Sequence, residues 1–125
     1  MKRIILTVAV GGTLMSAGAL LRAQDPTKVD PKHYKAEFEN DAVRILRIKY
    51  GPGEKSVMHY HPESVVVFLT DQKATFTTPD GKSTEVDGKA GEVKNLPGGP
   101  HLPQNISDKP MELILIEFKA KSAAK

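Results

Sequence analysis

The sequence contains no cysteine and no tryptophan, and aromatic residues make up only 6% of it. Without cysteine the chain can form no disulfide, and it offers no thiolate as a nucleophile or metal ligand. Without tryptophan and with few other aromatic residues, it lacks the usual stacking surface of a carbohydrate-binding sandwich. Stability must therefore come from an apolar core, from a bound metal or from association between chains.

A long uncharged stretch is found only at the N-terminus. Lys2 and Arg3 form a short basic start, residues 4–21 carry no charge and are rich in small residues, and Ala23 precedes a candidate cleavage site. This pattern is typical of a secretory signal peptide over residues 1–23. We expect a periplasmic or secreted mature protein that begins near Gln24. The alternative is an uncleaved membrane anchor, to which the many small residues are poorly suited.

An excess of positive charge is also absent once the expected signal peptide is removed. The whole chain has 18 basic and 15 acidic residues. Lys2, Arg3 and Arg22 would leave with the signal, so the mature chain has as many basic as acidic residues. A neutral chain gives no reason to expect nucleic acid or an anionic membrane as a partner.

Long amphipathic helical patterns are missing from the mature sequence, and short β-like runs take their place. Apolar or alternating runs cover residues 43–50, 56–61, 64–70, 74–77, 83–86, 92–96 and 111–118, with a weaker run at 34–38. Turn residues separate these runs about every ten residues, which is typical of an all-β sandwich or barrel. We expect an N-terminal lead-in at 24–39 that is flexible over 24–32, one domain at 40–118 and a short tail at 119–125.

Histidines are the residues most indicative of function. His59 and His61 stand two residues apart, and such a pair on a strand points to one face of the sheet. His101 follows in a Gly- and Pro-rich segment. If another strand brings His101 beside the pair, the three imidazoles form a metal site with open positions, suited to chemistry rather than to a closed structural role.

The two histidine segments resemble the conserved motifs of the cupin superfamily. Gly53, His59 and His61 match the first motif, and the second is matched by Gly91, Pro97, His101 and Asn105. The resemblance covers most of the mature chain. It implies an antiparallel double-sheet β-barrel with a divalent transition metal inside (Fe, Cu, Mn, Ni or Zn) and His59, His61 and His101 as ligands. It also implies a homodimer.

The sequence departs from the cupin pattern in three places. The glutamate expected three or four residues after His61 is missing, because positions 65 and 66 are both valine. The glycine that closes the first motif is replaced around Asp71, and His101 comes one residue early in the second motif. We expect the glycines at 98 and 99 to absorb this shortening, because glycine tolerates unusual backbone angles.

Loss of the glutamate leaves the full charge of a divalent ion on three neutral ligands, which favours anionic or enolisable chelating substrates. Because the resemblance includes three-histidine dioxygenases, it implies a metal-dependent enzyme of dioxygenase type that acts on a small chelating substrate. The expected signal peptide adds that this enzyme is exported. The first alternative is a non-catalytic module that binds a metal or a small metabolite. A second is a degenerate cupin without metal.

Four further residues have expected places. We expect His33 on the surface and Asn105 in a structural role, bonding backbone at a bend. Glu63 is expected to be exposed, with a position at the rim of the site as the alternative. We expect Val66 in the core, so the strand beside the histidines would make the pocket apolar.

Overall fold

The computed structural model of the protein describes residues 24–120, and the expected signal peptide at 1–23 lies outside them. Within these residues one short helix, α1 (Pro26–Val29), precedes nine strands. The strands are β1 (Tyr34–Glu39), β2 (Val43–Tyr50), β3 (His59–His61), β4 (Ser64–Phe68), β5 (Gln72–Thr77), β6 (Ser83–Gly88), β7 (Val93–Leu96), β8 (Gly99–Asn105) and β9 (Met111–Phe118).

The strands form two antiparallel sheets, which confirms the predicted all-β fold. One sheet has the order β1-β2-β9-β4-β7 and the other has the order β3-β8-β5-β6. In the first sheet β2 pairs with β9 along its whole length, from Val43 opposite Phe118 to Tyr50 opposite Met111. Within residues 24–120, no helix is long and apolar enough to span a membrane.

The core lies between the two sheets and follows the alternation of the strands. In β9 the residues at 111, 113, 115 and 117 are buried, whereas their neighbours at 112, 114 and 116 are partly exposed. β4 alternates in the same way, with Val66 and Phe68 buried. Period-two alternation therefore assigns one face of each strand to the interior, as expected for sheets that pack face to face.

The N-terminal segment is more ordered than the sequence indicates. Asp25 caps α1 by accepting a hydrogen bond from the backbone N–H of Thr27 at 2.9 Å. Pro26 is buried, and β1 pairs with β2 as part of the larger sheet. The expectation of a flexible lead-in at 24–32 was therefore wrong, because tertiary contacts fix a segment whose local sequence is polar.

A strand also forms where the sequence indicates only a Gly- and Pro-rich loop. β8 contains Pro100 and Pro103, which cannot donate to a ladder. Its first part, residues 99–101, pairs with β3, and its second part, residues 102–105, pairs with β5. Because its main ladder partner changes along its length, β8 tolerates prolines that a central strand paired on both sides would not.

Candidate metal centre

The register of two neighbouring strands brings the three histidines together. β3 and β8 are antiparallel, and His59 lies directly opposite His101, with His61 opposite Gly99. His59 and His61 are on the same face of β3 because they are two residues apart. His59 is fully buried and His61 nearly so. The structure thus assembles the group that the motif spacing predicts.

The Nε2 atoms of the three rings converge. The Nε2 atom of His59 lies 3.0 Å from that of His61 and 3.1 Å from that of His101. For nitrogen ligands about 2.1 Å from a metal and at right angles to each other, the nitrogen atoms are about 3.0 Å apart. The spacing therefore fits three ligands on one face of a coordination sphere.

The hydrogen bonds behind the rings leave the Nε2 atoms as acceptors. His59 Nδ1 lies 2.8 Å from the carbonyl oxygen of Val57, and His61 Nδ1 lies 2.7 Å from Glu117 Oε2. Both partners accept, so both Nδ1 atoms carry hydrogen, and the neutral form of each ring keeps a lone pair on Nε2. Lone pairs that face each other at 3.0 Å repel unless a cation lies between them, so the donor set fits a metal.

Burial keeps two of the rings neutral. Burial, together with the neighbouring His61, lowers the pKa of His59 to about 4. Burial also lowers the pKa of His101 to about 2, with His61 and His59 adding to the effect. Neutral imidazole is the form that binds metals, so at pH 7 these rings need lose no proton to act as ligands.

Two charged residues that the sequence analysis did not single out stand behind His61. Glu117 is 2% exposed, and its Oε1 accepts from Arg44 Nε at 2.7 Å while its Oε2 accepts from His61. Burial raises the pKa of Glu117, but the hydrogen bonds from His61 and Arg44 outweigh it and hold that pKa below its usual value. A signal existed in the sequence, since Glu117 occupies an inward position of the alternating strand β9.

A cavity of about 330 Å³ lies between the sheets beside the histidines. His61 and His101 form part of its wall, together with apolar side chains that include Val66, Phe68, Phe76, Leu96, Met111, Leu113 and Leu115. The side-chain oxygen of Gln72, another wall residue, is buried and has no hydrogen-bond partner among the described residues. The cavity wall is thus mainly apolar, and His61, His101 and Gln72 are among its polar side chains.

Phe68 owes its position to a glycine on the opposite sheet. A Cβ atom at Gly88 would lie 2.6 Å from the nearest ring carbon of Phe68, closer than any real contact. The ring therefore packs directly on the backbone at Gly88.

Solved structures of cupin domains are similar to the whole barrel. A cupin domain from Bordetella pertussis Tohama I is 28% identical, with a TM-score of 0.64 over 70% of this chain and 92% of that one. This chain has the fold of a small cupin. No protein-family model matches the sequence, and no curated protein is significantly similar to it.

Two more distant cupins have the same fold. An RmlC-like cupin with a double-stranded β-helix fold from Methanocaldococcus jannaschii is 21% identical, with a TM-score of 0.55 over 68% of this chain and 77% of that one. A cupin 2 conserved barrel domain protein from Salinispora arenicola is 18% identical, with a TM-score of 0.55 over 74% and 80% of the two chains. At these identities the likeness supports the cupin fold alone.

The shortened second cupin motif still delivers His101 to the group. Gly99 has a φ of +149°, and a Cβ atom at Gly98 would lie 2.9 Å from the backbone nitrogen of Glu63. The glycine pair therefore lets the two motif segments approach closely.

Val66 lines the cavity, whereas Val65 points to the other face of β4. Of the two candidate positions for the missing glutamate, only 66 faces the cavity.

Asn105 and Glu63 lie where the sequence predicts, and His33 does not. Asn105 is structural, since its side-chain amide donates to the carbonyl oxygens of Gly51 and Lys109. Glu63 is exposed and does not line the cavity. The expectation of a surface His33 was wrong. Its ring is buried, stacks on Tyr50 with centroids 4.3 Å apart and contacts Asp30 at 2.7 Å, because the N-terminal segment folds over it.

Proposed function

We propose that this protein is an exported, metal-dependent cupin enzyme of dioxygenase type, which binds one divalent transition metal through His59, His61 and His101. Its substrate is a small chelating molecule such as a β-dicarbonyl or an enediol. The observation that carries the proposal is the convergence of three Nε2 atoms, with neighbouring distances of 3.0 and 3.1 Å, at the wall of an apolar cavity. When bound, a divalent metal supplies Lewis acidity and open positions for substrate and dioxygen.

The chain's own residues orient the ligands and shape the reaction space. Val57 and Glu117 fix the tautomers of His59 and His61 by accepting from Nδ1. The edge of the Phe76 ring packs against His101 with ring centroids 4.4 Å apart, which restrains the third ring. Such contacts behind the ligands support metal affinity and ligand orientation.

The cavity wall selects the substrate and excludes water. A volume of about 330 Å³ admits a small organic molecule, and the wall beside the histidines is mainly hydrocarbon. We therefore expect a substrate whose chelating oxygens face the histidines and whose apolar part packs against Val66 and Phe68. Exclusion of bulk water strengthens electrostatic interactions at the histidines.

One observation favours the non-catalytic alternative, a binding module for a metal or small metabolite. Among the described residues, no carboxylate lines the cavity, and Glu117, which lies behind His61, is already engaged by His61 and Arg44. A reaction that needs a protein base would lack one. Turnover therefore depends on substrates whose proton is acidic enough to be lost on chelation.

Elemental analysis of the purified mature chain tests the metal site. We expect close to one equivalent of a divalent transition metal in the wild type and a strong loss in His59→Ala and His101→Ala. Asp41→Asn is the control, because Asp41 is exposed and lies outside the group. Equal metal content in all four proteins would remove the site.

Oxygen consumption separates the two functions. Fe-, Cu-, Mn-, Ni- and Zn-loaded protein would be screened with β-dicarbonyl and enediol compounds, with binding measured in parallel by calorimetry. Turnover that is lost in His101→Ala supports the enzyme. Tight binding without turnover in any metal form replaces the enzyme with the binding module. Mass spectrometry of exported protein checks cleavage after Ala23.

A further inference from the structure

We propose that residues 24–33, the first residues of the expected mature chain, form a positioning segment that orients the metal-binding histidines. The inference rests on the proposed metal site. Two aspartates of this segment are each linked by side-chain hydrogen bonds to a different histidine. One link passes through two side chains, and the other passes through one. The segment also supports the strand that carries both histidines.

The first connection runs from Asp25 to His61. Asp25 Oδ2 accepts from Arg44 at 2.7 Å, Arg44 Nε donates to Glu117 Oε1 at 2.7 Å, and Glu117 Oε2 accepts from His61 Nδ1 at 2.7 Å. Hydrogen bonds between charged groups are stronger and more directional than neutral ones. Asp25 therefore holds the guanidinium of Arg44, which in turn orients the Glu117 carboxylate toward His61.

The second connection runs from Asp30 to His59. Ser56 Oγ donates to Asp30 Oδ2 at 2.5 Å, which turns the serine oxygen toward His59 Nδ1, 3.3 Å away. Asp30 also accepts from His33 Nδ1 at 2.7 Å, and His33 stacks on Tyr50. Asp30 is itself 8% exposed, so this network is buried and its geometry is restrained by packing.

The third connection is to the backbone of the strand. β3 is only three residues long and lies at the edge of its sheet, with β8 as its one strand partner. Between the two histidines, the backbone N–H of Tyr60 donates to the carbonyl oxygen of Gln24 at 2.9 Å. An edge strand of this length has few ladder bonds to hold it. The carbonyl oxygen of Gln24 therefore gives β3 a hydrogen-bond partner on the edge that does not face β8, between the two histidines.

The test uses the mature chain with Asp25→Asn, Asp30→Asn and the double variant. Asparagine caps helices about as well as aspartate, so Asp25→Asn keeps α1 while it removes the charge that holds Arg44. Asp41→Asn is the matched control, since Asp41 is exposed and forms no ion pair among the described residues. Thermal unfolding of each metal-free variant reports whether it folds.

The readouts are Zn²⁺ and Co²⁺ affinity, measured by titration against a competing chelator, and the ring tautomers of His59 and His61, measured by ¹⁵N NMR. Changes behind metal-binding histidines lower metal affinity by roughly 10- to 100-fold. Because the aspartates act through other side chains, we expect about a tenfold loss in the double variant, with mixed tautomers of both rings. Asp41→Asn should match the wild type in both measurements.

The outcomes separate the two proposals. If the wild type binds neither ion, both the metal site and the positioning segment are wrong. If the wild type binds and the folded double variant binds equally well with unchanged tautomers, only the positioning segment is overturned. Should Asp30→Asn fail to fold, Ser56→Ala breaks the same connection while Asp30 keeps His33. Unchanged affinity in Ser56→Ala and in Asp25→Asn then overturns the segment's role.

Discussion

Replacement of Glu117 by glutamine would test how the site fixes its ligands. The carboxylate accepts from Arg44 with one oxygen and from His61 with the other. Glutamine places one oxygen and one NH₂ group where the carboxylate has two oxygens, so in the same orientation it accepts from only one of the two partners. One donor must face another donor, and His61 can relieve this by moving its hydrogen from Nδ1 to Nε2. The Nε2 lone pair that would bind metal is then lost.

The magnitudes follow from the contacts. The loss of a partner behind a metal-binding histidine costs roughly 10- to 100-fold in affinity, or about 1.4 to 2.7 kcal/mol. A hydrogen bond to a charged group contributes about 1.5 to 3 kcal/mol to stability. Since Arg44 keeps Asp25, we expect about 2 kcal/mol of destabilisation in Glu117→Gln. In a domain of this size, that lowers the melting temperature by roughly 8 to 16 °C.

Glu112→Gln is the matched control. Glu112 lies on the same strand but on its outer face, where it pairs with Arg47 and Lys49 in partly exposed ion pairs. Such pairs contribute about 0 to 1 kcal/mol. Metal titration, thermal unfolding and ¹⁵N NMR of His61 should therefore separate the two variants. The reasoning is refuted if Glu117→Gln folds, keeps the Nδ1–H tautomer of His61 and binds metal as tightly as Glu112→Gln does.

Three further predictions concern the cavity and its histidines. Val66→Glu should raise the Zn²⁺ affinity and change any turnover strongly, because its carboxylate enters the cavity. Val65→Glu, on the other face of β4, should change neither the affinity in the same titration nor the turnover. Because burial lowers the pKa of His59 to about 4 and of His101 to about 2, the unfolded chain binds more protons below about pH 6.5. Denaturant unfolding of metal-free protein should show stability falling from pH 6.5 toward pH 4, and a slope unchanged in His101→Gln would contradict this. Gln72→Leu should raise the free energy of unfolding by about 1 kcal/mol in urea titrations, because it removes a buried oxygen that has no partner among the described residues. A destabilised variant would contradict this and show that the amide stabilises the cavity wall.

Much of the fold and the three histidines could be predicted from the sequence. Strand alternation and turn residues indicated the two-sheet architecture, and motif spacing singled out His59, His61 and His101. These signals are local or lie at fixed spacing. The sequence does not indicate β8, because its prolines argue against a strand unless the strand's partners are known.

The side chains that hydrogen-bond to the histidines from behind could not be predicted from local patterns in the same way. Glu117 lies opposite Arg44 only because β2 and β9 pair in that register, and the partner strand of β2 is not encoded locally. His33 and Asp30 sit in a polar segment whose burial depends on contacts with Tyr50 and Ser56. Burial of a polar residue by distant partners leaves little trace in composition or periodicity.

The contact between Phe68 and Gly88 allows the size of the cavity to change through two positions. A side chain at 88 cannot be accommodated unless the Phe68 ring moves, and that ring is part of the cavity wall. A smaller residue at 68 would deepen the cavity and leave room for a side chain at 88, while both changes leave the three histidines untouched. Over evolution, a pair of substitutions could thus change the size of the cavity without a change in the histidine group.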